Sequence, residues 1–199
     1  GRLHYLACKR HLKDLERQRT DKFPYFWDID ASEKILDFAE TLTIAEGEKP
    51  KPVKLKEFQY FIIGSLFGWK KLNGYRRFRR SYVSMARQQG KSFINGIMGS
   101  YIALFGNYSY GKLFTASTKR RQARIAWEEI AKFINIDEDL QELFEVKDYK
   151  SLIVCNVTNC TIEALSKEGG LEDGHRSIFS SLDELHQIPT NHVYKALYN

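Results

Sequence analysis

Cysteine is too sparse in this chain to build a scaffold on. Its three cysteines, Cys8, Cys155 and Cys160, leave an odd count with no paired framework. That excludes a disulfide-stapled fold and points to a reducing compartment. Proline occurs only four times in 199 residues, and no internal repeat is present, so solenoid and array architectures are set aside. No apolar run reaches the length of a membrane span, and the chain opens without a signal-like segment. The sequons Asn156-Val157-Thr158 and Asn159-Cys160-Thr161 are therefore read as accidental. Cys8 and His11 have a ligand-like spacing, but no second tight pair accompanies them, and His175, His186 and His192 share no ligand pattern. No metal site is assigned from cysteine or histidine.

What remains is a folded unit: 43% of the residues are hydrophobic, which suits one sizeable core with an appendage. Lys and Arg exceed Asp and Glu by 31 to 25, a net charge of +6. This excess is compatible with a polyanionic partner and equally with a solvated surface.

Periodicity organises the chain. Residues 1–45 read as two helical pieces broken at Phe23-Pro24-Tyr25-Phe26-Trp27, the second placing Ile35, Leu36, Phe38, Ala39 and Leu42 near one face. Pro50, Pro52 and four lysines mark residues 47–56 as a loop, and Phe58, Phe61, Ile62 and Leu66 predict a helix after it. Lys70, Lys71, Arg76, Arg77, Arg79 and Arg80 form the densest basic segment, leading into an expected strand at Ser81. Ile94, Ile97, Met98, Tyr101, Ile102 and Phe105 describe a helix, Leu113 to Ala116 a core strand, and Ala123, Ala126, Ile130, Phe133 and Ile134 another helical face. Leu152–Cys155 and Thr161–Leu165 read as a hairpin across the Asn156–Asn159 turn. The alternation predicts an α/β fold.

Two segments carry chemistry. In the first, Gly90-Lys91-Ser92 opens a helix after a basic turn, an arrangement that can aim backbone N–H groups, a lysine and a hydroxyl at phosphates. The usual first glycine of such a loop, five positions earlier, is Met85 here, so an ordinary surface turn stays open. In the second, a strand carrying Ile178, Phe179 and Leu182 would deliver Asp183 and Glu184 to its carboxyl end. A solvated acidic pair capping a helix is the plainer reading. Taken together, the segments divide the work of nucleotide hydrolysis. Lys91 would neutralise β- and γ-phosphate oxygens, Gly90 would permit close approach, Ser92 and Asp183 would hold Mg2+, and Glu184 would polarise the attacking water.

Four segments in order then resemble one family: Leu55–Gln59 followed by Leu66–Trp69; Arg76–Ser92; Thr115-Ala116-Ser117 with Gln122-Ala123-Arg124; and Leu182-Asp183-Glu184-Leu185-His186. The chain resembles the N-terminal ATPase domain of the large terminase subunit of tailed bacteriophages. The resemblance implies a P-loop NTPase of the ASCE type, with a central, mostly parallel sheet flanked by helices. It sets a helical accessory region at 1–50 and the ATPase domain at 51–199. It also implies a variant phosphate loop over Arg87, Gln88, Gln89, Gly90, Lys91 and Ser92, with Arg87 orienting the γ-phosphate and Gln59 reading the adenine edge. An arginine acting on a neighbouring subunit's site is expected, Arg176 first, then Arg121 and Arg124. Implied cofactors are ATP and Mg2+. Implied partners are double-stranded DNA, the small terminase subunit, the portal protein and further copies in a ring, in the cytoplasm of an infected bacterium and docked on the procapsid. The sequence stops at Asn199 and begins at Gly1. The expectation is therefore a fragment without the last core strand and without the nuclease domain, which would not cut DNA. A helicase-like DNA-remodelling ATPase and a nucleotide-binding module without turnover are the alternatives.

Overall fold

A computed structural model describes residues 1–44, 49–86, 89–117, 120–166 and 177–183. In chain order its elements begin with α1 (Arg2–Glu16), β1 (Tyr25–Trp27), α2 (Ile29–Thr41), β2 (Thr43–Ile44), β3 (Lys51–Pro52), α3 (Glu57–Gly68) and β4 (Trp69–Lys71). They continue with α4 (Lys91–Phe105), β5 (Lys112–Ser117), α5 (Arg120–Ile136), α6 (Glu138–Leu143), β6 (Phe144–Lys147), β7 (Leu152–Cys155), β8 (Thr161–Ser166) and β9 (Ser177–Leu182). Two compact units form, Gly1–Ala39 with Leu55–Ser84, and Glu40–Lys54 with Met85–Asn199. This differs from a division at residue 50, because α3 packs with the N-terminal elements. At Gly68 a Cβ would stand 2.7 Å from the Trp27 ring, so only glycine allows that approach.

The first unit is organised by a buried ion pair among aromatic rings. α1 covers its neighbours through Ala7, His11, Asp14 and Leu15, one helical stripe, while its other positions are exposed. On that stripe Asp14 is only 1% exposed, and a buried carboxylate must be paired. Arg77 Nη1 lies 2.6 Å from Asp14 Oδ2, and Arg17 Nη2 lies 2.7 Å from Oδ1. The Arg77 guanidinium also stands over the rings of Phe23 and Tyr25, at 4.6 and 4.8 Å. Arg77 thus serves the interior of its own unit. β1 and β4 pair antiparallel with Trp27 opposite Trp69. Trp69 Nε1 donates to His11 Nδ1 at 3.1 Å.

In the second unit five strands form one sheet in the order β6-β7-β8-β5-β9. β5 runs parallel to β8 and β9, and an antiparallel extension of β7 and β6 follows β8. The expected hairpin is present, with Ile153 opposite Ile162. α5 buries Ala123, Ala126, Ile130, Phe133 and Ile134 as its periodicity required, together with Trp127, whose Nε1 donates to the Ile162 carbonyl at 3.3 Å. α4 buries Ile94, Ile97, Met98 and Ile102 and meets α5 through Phe93 and Phe133, ring centres 5.7 Å apart.

Two differences from expectation have physical causes. Residues 81–86 join no strand, and Tyr82 is 78% exposed. The segment lacks strict alternation, since Tyr82 and Val83 are adjacent, as are Met85 and Ala86, and an unpaired strand has no ladder to hold it. Conversely α6 forms where no element had been assigned. Its signal was Asp137, whose Oδ1 accepts the Leu140 N–H at 3.0 Å as an N-cap.

Replacing Asp14 by Asn should destabilise the protein by about 3 kcal/mol in urea unfolding, because Arg77 loses its counter-charge. The acid response should have two windows. Burial pushes Asp14 upward, but hydrogen bonds from Arg77 and Arg17 outweigh it and hold its pKa below the ordinary value. Stability from Asp14 is thus complete above about pH 4 and lost as pH falls through the lower folded-state pKa. Burial lowers the His11 pKa, so the unfolded chain takes up that proton first and stability declines as pH falls below about 6.5. Melting temperature against pH should lose this upper step in His11→Gln and keep the lower one.

Candidate phosphate-binding site

Strand alternation decides where the acidic segment points. In the β5–β9 ladder Leu113 pairs with Phe179 and Thr115 with Ser181, so these four share a face. Phe179 lies against α4 at Gly99, and the Thr115 hydroxyl donates to the Ala123 carbonyl of α5. This is therefore the helix-covered face, and period two places Asp183 on it as well. The Asp183 N–H donates to the Ala116 carbonyl at 3.0 Å, which pins the residue at the carboxyl end of both strands.

Lys91, the first residue of α4, meets it there. Its Nζ lies 3.6 Å from Asp183 Oδ1, with the two side chains 32% and 21% exposed. An ion pair this accessible is worth roughly 1 kcal/mol or less, so either partner can exchange it for a phosphate oxygen or a cation. Gly90 caps the helix in the left-handed conformation, φ 82° and ψ 31°, with no side chain closing the helix end. The Ile94 N–H is bonded back to the Gly90 carbonyl at 2.9 Å. The N–H groups of Lys91, Ser92 and Phe93 precede this first intrahelical bond, and the helix dipole adds positive potential at the same end. The half-buried Ser92 sits in this first turn. Among the described residues the buried Ser181 Oγ has no hydrogen-bond partner.

The structure brings Gly90, Lys91, Ser92 and Asp183 to one place, with the exposed Gln89 just before them. Arg87, Gln88, Arg176 and Glu184 lie outside the described residues. Gln59 belongs to the first unit, where it is buried and its Oε1 accepts the Lys56 N–H at 2.8 Å, leaving its amide N–H2 to donate. Arg124, considered for action on a neighbouring subunit, is engaged within its own chain: it bonds Glu128 at 2.9 Å and Asp148 at 2.8 Å. The Thr115-Ala116-Ser117 and Gln122-Ala123-Arg124 segments also have an internal task. Thr115 bonds the Ala123 carbonyl and Ser117 bonds Gln122 Oε1, which fastens the start of α5 to β5. Sequence reasoning did not single out Ser181; its only signal is a small polar residue inside an apolar strand, two positions before the acid.

A glycine-capped, open helix start whose lysine faces a carboxylate at the end of a parallel strand defines a P-loop NTPase, and the sheet around it is of the ASCE type. The chain belongs to the family of the terminase large subunit ATPase domain, whose model matches residues 57–199. Among solved structures it is similar to the crystal structure of the HK97 bacteriophage large terminase, at a TM-score of 0.67 and 23% identity. The similarity covers 78% of this chain and 31% of that one. A comparison with curated proteins returned no match. Membership in an ATPase-domain family implies nucleotide binding in general. Among the described residues no helix is long and apolar enough to cross a membrane.

Gly90→Ala should cost about 1–2 kcal/mol from its left-handed backbone, and Gly90→Asn distinctly less. Denaturant midpoints of the three proteins, with unchanged m-values, check this.

Proposed function

We propose that this chain is the ATP-hydrolysing part of a viral motor that packages double-stranded DNA into a procapsid. The observation that supports it most is the 3.6 Å approach of Lys91 to Asp183 at the open start of α4, in a chain of the terminase ATPase family. In this reading the N–H groups of residues 90–93 and Lys91 bind the β- and γ-phosphates of ATP. The oxygen donors Ser92 and Asp183 suit Mg2+, which needs only one or two protein ligands beside phosphate oxygens. When bound, Mg2+ supplies neutralisation of the charge built up on the transferred phosphoryl group. Glu184 takes the proton of the attacking water, Arg87 orients the γ-phosphate, and Gln59 reads the adenine edge. Arg176 completes the charge compensation in a neighbouring copy of a ring. The working partners are DNA, the small terminase subunit and the portal protein, with the motor docked on the procapsid in the host cytoplasm.

The test compares wild type, Lys91→Ala and Glu184→Gln for binding of a fluorescent ATP analogue and for phosphate release. Lys91→Ala should weaken binding by about 10- to 100-fold, the worth of a charged hydrogen bond. Glu184→Gln should bind normally and lose about 100-fold or more in turnover. Wild-type turnover in both variants would overturn the assignment.

A further inference from the structure

Helix α1 presents a charged face that no described element of its own unit covers. Opposite its inner stripe, Arg2, Lys9 and Lys13 recur at exposed positions, with the exposed Arg10 beside them. At the α-helical rise, Lys9 and Lys13 succeed one another about 6 Å apart along the axis. Residues 1–20 carry six Lys and Arg against two acids. Of those two, Asp14 is turned inward and neutralised by Arg77 and Arg17, so Glu16 is the one exposed acid of α1. The patch extends beyond the helix: the Arg10 guanidinium lies 5.9 Å from the Phe78 ring centre, and the exposed Arg79 follows Phe78 directly. A helix of ordinary surface character alternates the two signs at four-residue spacing. On this one the exposed basic residues outnumber that single acid.

The exposed apolar residues of α1 do not favour a lipid surface. Leu3, Tyr5, Leu6 and Leu12 are all exposed, but at 100° per residue they scatter around the helix instead of forming one apolar side. The one-sided feature is charge, and its complement is a regular line of phosphates.

We propose that this face of α1, continued by Arg79, binds the phosphate backbone of duplex DNA without reading its sequence. The choice of duplex DNA as the polyanion rests on the packaging reading above; the surface itself rests on the placement of these side chains. The experiment measures anisotropy of a fluorescein-labelled duplex, in two unrelated sequences, against the complete chain over a salt series. For Lys9→Ala/Lys13→Ala the log–log salt slope should become shallower by about two, with weaker binding to both sequences alike. Lys34→Ala/Lys112→Ala, exposed positions elsewhere with the same change in charge, should keep the wild-type slope. Alanine is a good helix former at such sites, and circular dichroism verifies that the variants stay folded. An unchanged slope in the α1 variant, or an equal change in both variants, overturns the proposal. So does a loss confined to phosphatidylserine vesicles with DNA binding intact. ATP-analogue binding by Lys91→Ala is read separately: if it is normal while the salt slope shifts as expected, the surface stands and the motor reading falls.

Discussion

Everything at the candidate site depends on the parallel pairing of β5 with β9. Side chains in a strand alternate strictly, so the register that puts Thr115 beside Ser181 also decides on which face Asp183 emerges. A slip of one residue would turn the carboxylate away from α4 and from Lys91. The register is held by the Asp183 N–H on the Ala116 carbonyl and by the apolar contact of Phe179 with α4 at Gly99. The same face receives the Thr115–Ala123 and Ser117–Gln122 bonds, which fasten α5 to β5. Packing and site geometry are here one constraint.

The first unit solves a different problem with the same economy. It holds a carboxylate inside by surrounding it with arginines whose flat faces rest on aromatic rings. Arginine suits this because its guanidinium bonds in-plane and stacks out of plane. Neutralising Asp14 inward leaves the outer side of α1 without an opposing charge except Glu16, so the arrangement that stabilises the unit also sets the sign of its surface.

Much of this was legible beforehand. The helices at α2, α3, α4 and α5 carry apolar residues at helical spacing, and the β7–β8 hairpin announces itself by two short apolar runs around an Asn-rich turn. Lys91 and Asp183 were nameable because a helix-opening Gly-Lys-Ser and an apolar strand ending in acids are local patterns. The Ser81 strand was misread because apolar content was present but period two was not, and strand formation needs a partner that local pattern cannot supply. α6 was overlooked although Asp137 is an ordinary helix cap; the six-residue helix is too short for periodicity to show. The arginines of the basic segment look equivalent in sequence, yet Arg77 is drawn inward by a carboxylate sixty-three positions away.

By itself, then, the sequence determined the types of the longer helices and of the β7–β8 hairpin, the order of the family-like segments and the residue chemistry at Gly90, Lys91, Ser92 and Asp183, since these follow from spacing and side-chain type. Only the tertiary structure decided the strand order, the face on which Asp183 emerges, the task of Arg77 and the charge exposed along α1. Those depend on which distant residues meet, and pairing across long separations is set by packing and charge compensation among elements that no local window contains.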